Sequence, residues 1–131
     1  MNVLGNITVG MTGEKIITVT RDMTVAHFLS TMPEVFATPM MILYMEMASG
    51  SAISPHLPEG YVSVGMEVNV RHLAATPVGH TVRAASRVIE VTPKSVLFAV
   101  EAWDGDRKIG EGTHRRGVVA TAAFEKRFGV S

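Results

Sequence analysis

The sequence predicts an α+β fold in which a curved antiparallel β-sheet wraps around one long buried helix. Three observations lead there. The segment from Thr38 to Ile53 is apolar in nearly every direction around a helical axis. Several further segments are rich in β-branched residues or alternate apolar with polar side chains. The connections between the later ones are mostly short turns, and short turns give antiparallel neighbours.

The first strand is read at Lys15 to Arg21, KIITVTR, from its β-branched residues. A mixed segment follows, with a helical turn near Val25 to Leu29 and a loop around Met32 and Pro33. The helix TPMMILYMEMASGSAI is punctuated at both ends. Thr38 reads as an N-cap with Pro39 at the first helical position, and Pro55 and Pro58 stop it. A helix apolar all round is buried on most sides. Its second half, Ala48 to Ala52, is small enough to let another backbone lie close.

Tyr61 to Arg71 alternates, placing Val62, Val64, Met66, Val68 and Val70 on one face. Gly65 interrupts the β propensity and marks a bulge or a close approach to a ligand. Thr81 to Val91 and Ser95 to Trp103 are joined by a turn at Thr92 to Lys94. Asp104-Gly105 opens a tight hairpin into the last strand, Lys108 to Ala120, and the tail from Ala123 reads as a short helix or a frayed end. One sheet around one helix satisfies the two-layer rule for a single domain spanning residues 1–131. It leaves one sheet face and an edge strand uncovered, which predicts a homodimer or a dimer of dimers.

Composition excludes several functions. A formal net charge of zero offers no electrostatic footing for nucleic acid or an anionic membrane. The absence of cysteine removes disulfides, thiolate metal sites and a cysteine nucleophile. No stretch approaches the roughly 20 apolar residues of a membrane span, and the start lacks signal-peptide character, so a cytoplasmic protein is expected. The histidines show no metal-ligand spacing, and no glycine-rich phosphate loop or G-x-S-x-G is present.

Glu46 is the chemically odd residue. Burying a carboxylate without a partner is costly, so Glu46 either reaches solvent or serves a site as base or nucleophile. Thr38 lies eight residues earlier, about 12 Å along the helix and roughly 80° around it. The two can flank one groove without touching. His72 ends the alternating strand on the face that meets the helix. It reads as a core histidine or as a group orienting a carboxylate, hydroxyl or water. His114 on the last strand is placed at a dimer contact or phosphate-binding rim, and Arg115 and Arg116 are read as a solvated pair.

Three segments then carry a family pattern: PEVFATPMMILYMEMA (Pro33 to Ala48), VGMEVNVRHLAATPVGHTV (Val64 to Val82) and GEGTHRRGVV (Gly110 to Val119). Together they resemble the fluoroacetyl-CoA thioesterase group of hotdog-fold proteins. The resemblance implies an acyl-CoA thioesterase with Thr38, Glu46 and His72 as catalytic residues and Gly65 near the thioester carbonyl. It implies acyl-CoA as partner and no cofactor beyond the CoA carried by the substrate.

Phe36, Met41, Met45 and Val68 are assigned to the acyl pocket, where flexible methionines suit several apolar chains. The family's aromatic lid corresponds here to Leu29 and Met32, with Phe28 and Phe36 out of register. That departure leaves a general short-chain acyl-CoA thioesterase without assigned fluoroacetyl specificity. The rival readings are a hotdog enoyl-CoA hydratase, disfavoured by the missing D-x-x-x-x-H run, and a non-catalytic acyl-CoA-binding protein.

Overall fold

A computed structural model describes residues 2–129. Strand β1 (Thr12–Thr18) leads to a short helix α1 (Val25–Phe28) and then to the long helix α2 (Thr38–Ile53). Four strands follow: β2 (Tyr61–His72), β3 (Thr81–Val91), β4 (Ser95–Asp104) and β5 (Arg107–Ala120). Helix α3 (Thr121–Phe128) closes the described chain. The sheet is five-stranded and antiparallel in the order β1-β3-β4-β5-β2, with α2 against its concave face. This is the hotdog arrangement.

The concave face is the core. Val82, Ala84, Ser86 and Val88 of β3 alternate inward, as do Val96, Phe98, Val100 and Ala102 of β4. The helix answers with Met41, Met45, Ala48 and Ala52, a stripe at helical spacing. Each fully buried Val, Ile, Phe or Met side chain contributes about 1.5–3 kcal/mol. Ser49 sits among them fully buried, donating its Oγ–H to the Met45 carbonyl or sharing it with Ser86 Oγ at 2.7 Å.

The small half of α2 seats β1. A Cβ added at Gly13 would fall 2.0 Å from the Ala48 carbonyl oxygen and 2.8 Å from Ser51 Oγ, so only glycine allows the approach. Strand β1 therefore starts at Thr12 and ends at Thr18, earlier than the β-branched run suggested.

Two further expectations change. First, α2 is not buried all round: Leu43 is 43% exposed and Met47 41%, on the side away from β3 and β4. Second, the alternation of β2 does not run through. A bulge between Gly65 and Glu67 shifts the register against β5. Directly paired residues share a face. Gly65 pairs with Arg116 and Val68 with His114, so Gly65 joins Val68, Val70 and His72 on the inner face while Met66 is turned out.

The outer face of the sheet is polar. Ion pairs cross it from strand to strand: Glu14 with Arg83, Glu90 with Arg115, Lys108 with Glu101, and Arg71 with Glu111 at 2.7 Å; within β5, Lys108 also pairs with Glu111. This face is content in water. On the helix side of edge strand β2, apolar surface is uncovered at Leu43, Met47 and Val68, while Ile16, Val62 and Met66 stand exposed among the polar residues of the outer face.

Candidate active site

Two recesses hold the candidate residues. The first forms where α2 begins and β2 ends. Thr38 is the first residue of α2, with Ala37 in the cap position, and its hydroxyl does not cap the helix. It instead meets His72 Nδ1 at 2.7 Å. The cap reading of Thr38 is thus replaced by a hydroxyl–imidazole pair. Pro39 behind it lacks an N–H that would need a cap.

Burial pushes the His72 imidazole below the usual histidine range, against a weaker upward pull from the Ala74 backbone. A neutral ring at Nδ1 can accept the Thr38 proton. His72 Nε2 is buried without a hydrogen-bond partner, an orphan polar atom of the kind that functional sites retain. Val25, Val35, Phe36, Leu73, Ala74 and Ala75 wall this recess.

The second recess opens at the middle of α2. Glu46 is half-buried there beside Leu43, Met47, Gly50, Tyr61, Val62, Lys15 and Arg116. Gly65 lets the carboxylate approach β2: a Cβ at that position would stand 3.4 Å from Glu46 Oε1 and 3.3 Å from His114 Cε1. Of the two readings of Gly65, the bulge is present, and the groups that come close to it are Glu46 and His114. Glu46 belongs to none of the ion pairs among the described residues, so its oxygens are available to a ligand.

His114 and Arg116 were not read from the sequence as parts of this site. His114 is only 1% exposed, stacked on Phe98, and is no rim residue. Arg116 is half-buried on the inner face, whereas Arg115 points outward to Glu90 and to Ser95 Oγ. The Arg116 guanidinium donates through Nε to Ser63 Oγ at 2.9 Å, through one terminal nitrogen to the Ser63 carbonyl at 2.9 Å, and through the other to His114 Nε2 at 3.1 Å. It lies over Gly50, one turn beyond Glu46. Burial lowers the proton affinity of Arg116 somewhat, and the Glu46 charge restores part of it. The doublet Arg-Arg looks solvated by composition. Strand parity with His114 was the signal that one of the two faces inward.

The structure brings Thr38 to His72 and brings Glu46 to Gly65. It does not join the two pairs within one chain, where they open into different recesses. Met41 and Met45, assigned to the acyl pocket, are core residues at 1% exposure, packed where a Gly110 side chain would be. Their side of the helix faces the sheet, and Leu43 and Met47 line the opening instead. Phe36 is buried too, but it walls the Thr38–His72 recess and stacks on Tyr44. Phe28, Leu29 and Met32, where the resemblance led to the expectation of a lid, are all exposed. Among the described residues no group of three or more His, Cys, Asp or Glu side chains is placed to hold a metal ion.

Comparison with known proteins gives a consistent result. A family model described as fluoroacetyl-CoA-specific thioesterase matches residues 19–122. The fluoroacetyl-CoA thioesterase of Streptantibioticus cattleyicolor is 41% identical over 92 residues, covering 70% of this chain and 66%, just under two thirds, of that protein. A solved structure of a fluoroacetyl-CoA thioesterase superposes with a TM-score of 0.88 at 35% identity, covering 92% of this chain and 94% of the other. A thioesterase superfamily member from Thermus thermophilus superposes at 0.87 with 32% identity, covering 94% and 91%.

Proposed function

The chain belongs to the fluoroacetyl-CoA-specific thioesterase family, and from that premise we propose that it hydrolyses a short-chain acyl-CoA to the free acid and CoA. The observation that carries this is the half-buried Glu46 carboxylate, without an ion-pair partner, held beside Gly65 and the fixed Arg116 guanidinium at an apolar opening. In this reading Glu46 takes a proton from water, and the water oxygen adds to the thioester carbonyl carbon. The charge that develops on the carbonyl oxygen is met by the N–H groups of Arg116 that Ser63 and His114 leave free. The carbon–sulfur bond then breaks and the proton passes to the thiolate of CoA. The Thr38–His72 pair hydrogen-bonds the reacting groups from the other wall. Leu43 and Met47 receive the acyl chain. The reaction calls for no metal or added cofactor.

A second copy completes the site. Eight residues of helix separate Thr38 from Glu46 by about 12 Å, too far for one water to serve both. Edge strand β2 is free to pair with its counterpart in another protomer. Each Glu46 then faces a Thr38–His72 pair across the interface, and the exposed apolar residues of β2 and α2 are covered. The homodimer is the active unit in this reading. In this reading the enzyme works in the cytoplasm on acyl-CoA; no described helix is long and apolar enough to cross a membrane.

The departure of the lid positions to Leu29 and Met32 points to short acyl groups in general over fluoroacetyl alone. The test is thiol release from a panel of acyl-CoA esters by the parental protein and by Glu46→Gln, with melting temperature as the folding control. The variant is expected to lose about 100-fold or more in kcat. Parental rates in the folded variant would remove Glu46 from the chemistry.

A further inference from the structure

The contacts of His114 have only one consistent protonation state. The Glu67 carbonyl, 2.8 Å from Nδ1, can only accept, so Nδ1 carries a hydrogen. The Arg116 guanidinium, 3.1 Å from Nε2, can only donate, so Nε2 carries a lone pair. The ring is buried and stacked on Phe98 of β4, and its Cε1 edge faces Gly65. A histidine placed only to fill the core would not need an acceptor aimed at an arginine.

We propose that His114 is a positioning residue: as a neutral imidazole protonated on Nδ1, it fixes the Arg116 guanidinium beside Glu46. Ser63 holds one side of the guanidinium and His114 holds the other. With both in place the guanidinium cannot rotate out of the recess. Without His114 it keeps its two bonds to Ser63 but swings about them, and the positive charge no longer stands where the carbonyl oxygen becomes negative.

The charged groups facing the ring are Glu46 from α2 and Arg116 from β5. Strand β2 presents the Glu67 backbone and Val68, and β4 presents Phe98. A second proton on His114 would set Nε2–H against the guanidinium and release it. Burial, the largest influence, and then the Arg116 charge oppose that proton, while the Glu67 carbonyl and Glu46 favour it.

The kinetic part of this inference rests on the thioesterase reading, and a spectroscopic part does not. His114→Phe keeps a ring on Phe98 but offers Arg116 no acceptor. His114→Gln offers an acceptor near the Nε2 position. His114→Phe is expected to lower kcat/KM by about 10- to 100-fold with little change in melting temperature, since small misplacements of catalytic groups cost that much. His114→Gln is expected to recover most of the loss.

In an Arg116→Met background, His114→Phe is expected to add no further loss, because its effect passes through Arg116. The proposal is overturned by parental activity in His114→Phe, by a Gln variant no better than Phe, or by losses that multiply in the double variant. Independently, nitrogen NMR of the parental protein should show His114 as the neutral Nδ1–H tautomer and a protected Arg116 Nη–H signal, from the N–H donated to His114 Nε2, that weakens in His114→Phe. The Nε2–H tautomer, or an unchanged Arg116 signal, overturns it as well. A parental protein that releases no thiol from any CoA ester overturns the thioesterase reading alone, and the NMR result still decides the role of His114.

Discussion

Co-expressing Glu46→Gln with Thr38→Ala, under two different affinity tags, yields a mixed dimer with one defect in each chain. Within one chain the two residues stand about 12 Å apart along α2 and open into separate recesses. If each site takes Glu46 from one chain and Thr38–His72 from the other, the mixed dimer holds one intact site and one doubly broken site. Its rate per dimer should then be about half the parental rate, as for any two-fold assembly with one working site. Each homodimeric variant has both sites broken and should run about 100-fold or more below parental. If instead each chain assembles its own site, no site in the mixed dimer is intact and its rate stays at the variants' background. Thiol release from an acyl-CoA ester gives the rate, and native mass spectrometry confirms that the mixed dimer is the species assayed. Background activity in a verified mixed dimer refutes the composite site. A monomeric parental protein refutes the dimer itself.

Three further outcomes follow from the same geometry. His72 and His114 both bind protons less readily folded than unfolded, so the unfolded state takes up more protons as pH falls through the usual histidine value of about 6.5. Their contribution to stability is complete above that pH and is lost below it, and melting temperature followed across pH 5 to 8 should fall on the acid side, by about the same measure in several buffers. Gly13→Ala forces a Cβ onto the Ala48 carbonyl and should cost about 3 kcal/mol, read as a melting temperature lower by about 10 °C. Gly65→Ala meets only ordinary or slightly tight contacts with His114 and Glu46, so it should fold with a near-parental melting temperature yet lose activity, measured by thiol release.

The elements were legible where punctuation and periodicity agreed. Helix α2 runs from Thr38 to Ile53 as read, because Pro39 and Pro55 bracket it, and β3 runs from Thr81 to Val91 because its alternation is clean. Strand β1 was placed late because Gly13 and Glu14 look unlike strand residues, and the reason for Gly13 is tertiary: it makes room for Ala48 and Ser51. Gly65 signalled a bulge, but the consequence for every residue N-terminal to it could not be counted without the register to β5.

The site divides in the same way. Glu46 stood out as a charge in an apolar helix, and Thr38 and His72 by their places at a helix start and a strand end. Met41 and Met45 were misassigned because a helix apolar on every side does not reveal which side meets the sheet. Arg116 was hidden by its neighbour Arg115, since composition treats the pair alike and the strand sends them to opposite faces.

The outer face of the sheet limits how the protein can grow. Rows of paired charges from Glu14 and Arg83 across to Arg71 and Glu111 leave no continuous dry surface for another sheet to stack on. Any assembly beyond two chains that uses this face must be joined by a wet, charged seam. Such a seam weakens as ions crowd in and the reach of each charge shrinks to about 10 Å at 0.1 M salt and about 3 Å at 1 M. Ionic strength thus becomes a dial on any such assembly, while a contact through the apolar edge proposed to complete the active site is indifferent to it.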